Sequence, residues 1–220
     1  MTGATSGIGE AFARWYADSA SELVLVGRNK SELDRVANAV RSRGVHAEVI
    51  VADLSHKDGV ESVGAQCGAV DVLVMNAGVT HAAKIGTSDR DQLDELAYLM
   101  SAGIVRLSEI VVPHMVECGS GDVVIVSSIA TFTPMRKAGP YAAAKTYATS
   151  YARSLALEVN SRGVRVVAVC PGYVRTDLHR RAGLDHLSQS VPGWMWLTPD
   201  DVVRATTRAL ERGKTVVVPG

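Results

Sequence analysis

Three observations predict an α/β fold on a Rossmann-like, doubly wound parallel sheet with helices on both faces, a three-layer αβα arrangement. Apolar runs rich in Val, Ile and Leu alternate with segments of helical period. Those runs are apolar at consecutive positions, as strands buried on both faces require. A glycine-rich stretch, TGATSGIG (Thr2 to Gly9), opens the first helical segment, where loop amides and a helix N-terminus converge on a phosphate.

Each element has its own signal. Ile8, Ala11, Phe12 and Trp15 recur at helical spacing, so one stripe of a helix from Ile8 to Ala20 should face a sheet. Strand Glu22–Val26 follows. A helix from about Lys30 sets Leu33, Val36, Ala37 and Val40 on one face, and strand HAEVIV ends at Val51. Ser55 is the expected N-cap of a short helix to Gln66, ahead of strand Val70–Met75. One long helix is predicted over about Asp89–Glu117 and a second over Tyr141–Ser161, with strand Gly121–Ser128 between them. Strand VRVVAVC ends at Cys170. Leu178 to Leu197 mixes Gly, Pro, Ser and His and reads as a substrate lid, and Trp194, Met195 and Trp196 are expected as a pocket wall or a dimer contact. Thr198 and Pro199 open a helix to about Arg212, and the last strand is Thr215–Val218.

Composition narrows the function. A chain of 220 residues, 47% hydrophobic, suits one domain over 1–220. Its 23 basic residues balance 23 acidic ones without runs of either sign, which argues against nucleic acid or an anionic membrane as the main partner and for a small molecule. Cys67, Cys118 and Cys170 are odd in number and unclustered, so they read as reduced core residues of a cytoplasmic protein. No apolar run approaches the roughly 20 residues of a membrane span. The histidines (His46, His56, His81, His114, His179, His186) show no ligand spacing, so no metal site is expected.

Four fragments carry chemistry: TGATSGIG, NAG (Asn76 to Gly78), Ser128 with YAAAK downstream (Tyr141 to Lys145), and CPG (Cys170 to Gly172). Each is weak alone, but all lie at the carboxyl end of a predicted strand or on the helix leaving it, where open α/β sheets bind ligands. Residues four apart share a helix face, so Lys145 should lie beside Tyr141, its charge drawing the phenol pKa down from about 10 toward working pH. Tyr141 then becomes a proton donor to a developing alkoxide, and Ser128 a second hydrogen-bond donor to the same oxygen.

In this order and spacing the fragments resemble the short-chain dehydrogenase/reductase family, and the resemblance covers the chain from end to end. It implies a nicotinamide-dependent oxidoreductase with Ser128, Tyr141 and Lys145 as catalytic trio. The Ser-to-Tyr separation of 13 residues singles out Ser128 over Ser127. By the same resemblance Thr2, Gly3, Ser6, Gly7, Ile8 and Gly9 form the dinucleotide loop, Asp53 and Leu54 meet the adenine, and Asn76, Ala77 and Gly78 lie beside its ribose. Pro171, Gly172, Val174 and Thr176 hold the nicotinamide end, with Tyr141 and Lys145 also touching the cofactor. No acid follows strand Glu22–Val26. Arg28 stands there instead, with Asn29 beside it, and an arginine fork suits a 2′-phosphate, so NADP(H) is preferred with NAD(H) possible. The implied reaction joins this cofactor to an apolar ketone or secondary alcohol in a homodimer or homotetramer.

Two features depart from the family pattern. Met100 stands where an asparagine usually supports a proton-relay water, and Met75 where a second asparagine is common. The strand that should precede the glycine loop is missing, so the sequence is expected to lack about 5 to 8 upstream apolar residues, a typical strand length, and its other end, Pro219–Gly220, also reads as trimmed. These departures keep a rival reading open: a non-catalytic cofactor-binding regulator or an inactive truncated fragment.

Overall fold

A computed structural model describes residues 1–80, 85–86, 89–133, 136–176 and 191–220. The elements in order are α1 (Gly7–Tyr16), β1 (Glu22–Gly27), α2 (Lys30–Arg41), β2 (His46–Val51), α3 (Lys57–Gln66), β3 (Val72–Met75), α4 (Arg90–Met100), α5 (Ala102–Cys118) and β4 (Gly121–Val126). Then come α6 (Gly139–Val159), β5 (Val164–Val169), β6 (Tyr173–Val174), β7 (Trp196–Leu197), α7 (Pro199–Glu211) and β8 (Val216–Val217).

The predicted αβα layering is present. Alternate residues of each strand serve opposite layers: Leu73, Met75, Val123, Ile125, Val166 and Ala168 pack with α3, α5 and α6, whereas Val74, Val124, Val126, Val167 and Val169 pack with α1 and α7. The α2 helix covers β1 and β2 through Leu33, Val36, Ala37 and Val40, the stripe read from spacing. All pairings are parallel, in the orders β1-β2 and β3-β4-β5-β8.

Among the described residues no strand joins these two sheets. Met1 and Thr2 lie between β1 and β3: the Val26 amide donates to Met1 O at 2.9 Å and the Thr2 amide to Val74 O at 2.9 Å. Thr2 forms an isolated parallel bridge with Val26, and the Ala4 amide reaches Val26 O at 3.3 Å. These contacts fix the backbone that leads into the glycine loop.

Several boundaries differ from expectation for local reasons. Helix α1 stops at Tyr16, and Trp15 is 43% exposed, because Phe12 and Tyr16, stacked at 6.2 Å, take the buried side. Ser55 does not cap α3; its hydroxyl and amide bond Asp53 Oδ1 at 2.7 and 3.0 Å, and His56 occupies the cap. The helix expected over Asp89–Glu117 breaks at Ser101, whose backbone (φ −134°, ψ −86°) ends α4 and starts α5. Thr198 caps α7 as read, in a reciprocal box with Asp201.

Cys170 is buried, but Cys67 is half-buried and Cys118 exposed at the end of α5, so the expectation of three core cysteines holds for one. Among the described residues one segment, α4 with α5, is long and apolar enough to cross a membrane by length and composition, although charged residues interrupt it. Its Leu96, Met100, Ile104, Leu107 and Met115 are buried in the protein.

The predicted lid lies largely outside the described residues. In its described part Trp196–Leu197 forms β7 and pairs with β6, with the Arg175 amide donating to Leu197 O at 2.9 Å.

Candidate active site

Parallel strands end on one side, and the segments leaving them line one cavity of about 900 Å³. Gly27–Asn29 follow β1, Ala52–Leu54 follow β2, Asn76–Thr80 follow β3, Ser127–Ile129 follow β4 and Pro171–Val174 follow β5. The glycine loop closes one end with Gly3, Ser6, Gly7 and Ile8, while Tyr141 and Lys145 on α6 close the other.

At the glycine end, geometry explains the glycines. Gly3 has φ 63° and a Cβ there would lie 2.8 Å from Asn76 Nδ2; Gly7 has φ 57° and would meet Thr176 Cγ2 at 2.8 Å. Only glycine adopts this backbone without strain. No side chain caps α1, so its first-turn amides are left for a ligand, and a helix N-terminus favours an anion.

Two residues assigned to cofactor contact do not line the cavity. Thr2 is buried, its Oγ1 accepting from the Asn76 and Ala77 amides, each at 3.0 Å. Gly9 packs under the loop, where a Cβ would fall 2.1 Å from Gly3 O. Both hold the loop in place instead, as does Asn76, whose Nδ2 donates to Thr2 O at 3.2 Å and Gly3 O at 3.0 Å.

At the rim beyond β1, Arg28 is exposed, with its guanidinium 3.8 Å from Asp53 Oδ2. Asn29 caps α2, its Oδ1 accepting from the Glu32 amide and the Ser31 hydroxyl. Burial alone would raise the Asp53 carboxyl, but the Ser55 hydrogen bonds, with Arg28 and His56 nearby, hold it below the ordinary aspartate value.

At the other end the two serines part. Ser127 is buried, its Oγ tied to Thr149 Oγ1 at 2.6 Å and Lys145 O at 2.9 Å; Ser128 lines the cavity with Tyr141, its Oγ accepting from the Ala130 amide at 3.2 Å. Lys145 is buried, and its Nζ donates to Val126 O at 2.7 Å while lying 5.8 Å from the centre of the Tyr141 ring.

The acidities correct the sequence reading. Burial lowers the Lys145 ammonium to about 8, and burial raises the Tyr141 phenol above its ordinary value despite the opposing pull of the Ser128 side chain. The net shift of the phenol is upward because burial is the largest cause, contrary to the downward shift expected from Lys145 alone. Burial therefore favours the neutral phenol of Tyr141.

Met100 is wholly buried with Leu96 and Ala144 against Tyr141, and its Sδ lies beneath Gly78, near Lys145. It supports the site by packing. Trp194, Met195 and Trp196 do not line the cavity; Trp194 is 84% exposed and Trp196 packs on Tyr173, which does line it. Sequence reasoning missed Arg136 and Lys137, which also line the cavity.

The short chain dehydrogenase family profile matches residues 1–186, and the chain belongs to that family, a class of NAD(P)-dependent oxidoreductases. It is similar to the very-long-chain 3-oxoacyl-CoA reductase of Anas platyrhynchos, 30% identical over 213 residues that span 93% of this chain and 66% of that one. Among solved structures, a short-chain dehydrogenase from Sphingobium yanoikuyae in complex with NADPH superimposes with TM-score 0.91 at 30% identity, covering 99% of this chain and 85% of that one. The bulky-bulky ketone specific alcohol dehydrogenase from Comamonas testosteroni gives 0.87 at 26% identity, with 100% and 84% covered.

Proposed function

We propose that this chain transfers a hydride between NADP(H) and a ketone or secondary alcohol with an apolar body, with Tyr141 as general acid and base. The observation that carries the reading is that Ser128, Tyr141 and Lys145 meet at one end of a cavity whose other end is an uncapped, glycine-lined helix N-terminus. Gly3, Ser6, Gly7 and Ile8 would receive the pyrophosphate, Arg28 and Asn29 the 2′-phosphate, Asp53 and Leu54 the adenine, and Asn76 to Gly78 its ribose. Pro171, Gly172, Val174 and Thr176 would hold the nicotinamide end, with Tyr141 and Lys145 beside it. When bound, the cofactor supplies or accepts the hydride.

The remaining steps belong to the chain. Tyr141, protonated at neutral pH, gives its proton to the carbonyl oxygen as negative charge develops there. Ser128 donates a second hydrogen bond to that oxygen, worth about 3 kcal/mol when preorganised. Lys145, held by Val126 O, keeps a positive charge beside the phenol as it turns to phenolate. The NADPH complex of the Sphingobium relative and the ketone specificity in the Comamonas relative's name support the same class of reaction here.

Turnover of NADPH with a panel of ketones, wild type against Tyr141→Phe, tests the reading. We expect turnover in the wild type and a loss of roughly 10²- to 10⁴-fold in kcat in the variant, with NADPH binding retained. Equal rates would refute the role of Tyr141, and binding without turnover in either protein would favour a cofactor-binding regulator.

A further inference from the structure

The Tyr141 end of the cavity carries two cations that the reaction above does not use. Arg136 and Lys137 line the wall on the turn entering α6, five and four residues ahead of Tyr141, and both are exposed. Lys137 takes φ 62°, a left-handed backbone uncommon for a lysine. Neither has an acidic partner among the described residues. The other lining charges are engaged: Glu32 with Arg35, Asp53 with Arg28 and Ser55, and buried Lys145 with Val126 O.

Two further features give this wall its character. Helix α6 runs 21 residues from Gly139, and Ala138, its N-cap residue, lines the cavity without giving a side-chain cap, so the positive end of the helix adds to the same mouth. The neighbouring wall is apolar, with Leu99, Ile129 and Tyr173. An apolar pocket wall with a positive mouth, where the two lining acids, Glu32 and Asp53, are paired with Arg35 and Arg28, recognises a molecule with an apolar body and an anionic end.

We propose that the substrate is an oxo acid, its carboxylate held by Arg136 and Lys137 while its ketone reaches Tyr141 and Ser128. This rests on the hydride-transfer reading above, and the balance is unchanged: one hydride and one proton convert the carbonyl to the alcohol, and the carboxylate takes no part. An alternative source of the anion is the cofactor's own phosphates, which the test separates.

The test compares matched oxo acids and their methyl esters as substrates with NADPH, in the wild type and in the Arg136→Ala/Lys137→Ala double variant. NADPH dissociation constants and thermal melts are measured on both proteins. Expected is a wild-type preference for the acid on the order of tenfold or more in kcat/KM, as hydrogen bonds to a charged group supply. In the variant that preference collapses through the acid's KM, while NADPH affinity and melting temperature hold. Equal use of acid and ester by the wild type overturns the proposal, and so does an equal loss of NADPH affinity in the variant. If no ketone is reduced at all, hydride transfer fails separately. Calorimetry of an unreactive hydroxy acid and its amide on the NADPH complex then decides: tighter binding of the acid, lost in the variant, supports the anion site, and equal binding overturns it.

Discussion

Lys145 is the residue at which packing and chemistry meet most closely. Its ammonium is buried against Val126 O, and desolvation brings its pKa from 10.5 to about 8. Because the free-enzyme value governs kcat/KM, the rate of ketone reduction should hold below pH 8 and fall as pH rises through about 8, where the cation beside Tyr141 is lost. A pH profile of kcat/KM checks this; a flat profile to pH 10 would show that the charge is not needed. The sign for stability is the opposite. Below about pH 8 the folded state bears the cost of burying a charge, and between 8 and 10.5 that cost fades because only the unfolded chain still holds the proton. Arg28 stands at the far rim, where the 2′-phosphate is proposed to bind. Arg28→Ala should weaken NADPH by roughly 10- to 100-fold, as loss of hydrogen bonds to a charged group implies, and leave NADH almost unchanged, as titrations of both cofactors would reveal.

Among the elements, the junction of glycine loop and α1 is the tightest. A methyl group at Gly9 would fall 2.1 Å from Gly3 O, backbone against backbone, so neither partner can move aside. Gly9→Ala should cost about 1 to 3 kcal/mol or more by overpacking, read as a lower denaturation midpoint together with weaker NADPH binding. That loop was legible in the sequence because glycine spacing records backbone geometry directly. The stripes of α2 and the Thr198 N-cap were legible for the same reason: period and cap chemistry are local. The break at Ser101 was not, since neither Gly nor Pro marks it and the backbone turn there is set by how α4 and α5 pack. Strands β6 and β7 escaped because each has two residues, too few for any period, and their pairing joins positions 173 and 196. Arg136 and Lys137 stood in plain view ahead of Tyr141, yet a basic pair in a loop has no spacing that tells a solvated turn from a cavity wall. Thr2 and Gly9 were named correctly as part of the loop, but whether a residue touches the ligand or props the residue that does is decided only in three dimensions.

For the whole molecule, Met1, Thr2 and Ala4 bond to β1 on one side and β3 on the other, and the cavity is lined from both sheets. A ligand spanning both sheets should stabilise the chain by mass action, about 2.7 kcal/mol at 100 times its dissociation constant, and a thermal melt with and without saturating NADPH measures it. We also propose a homodimer through α5 and α6, whose outer faces leave Ile110 and Tyr147 partly exposed. Light scattering at micromolar concentration should give at least twice the 23.3 kDa chain mass, and a monomer would contradict that pairing. The proposed hydride transfer needs both ends of the cavity at once, with the glycine loop holding one reactant and Tyr141 protonating the other. The most direct measurement is therefore the fate of deuterium carried at both C4 positions of the nicotinamide of NADPH during reduction of a ketone. Deuterium on the carbinol carbon of the product, formed by the wild type and suppressed at least about 100-fold in Tyr141→Phe, is the expected result. Product without the label, or the same labelled yield from both proteins, would contradict it.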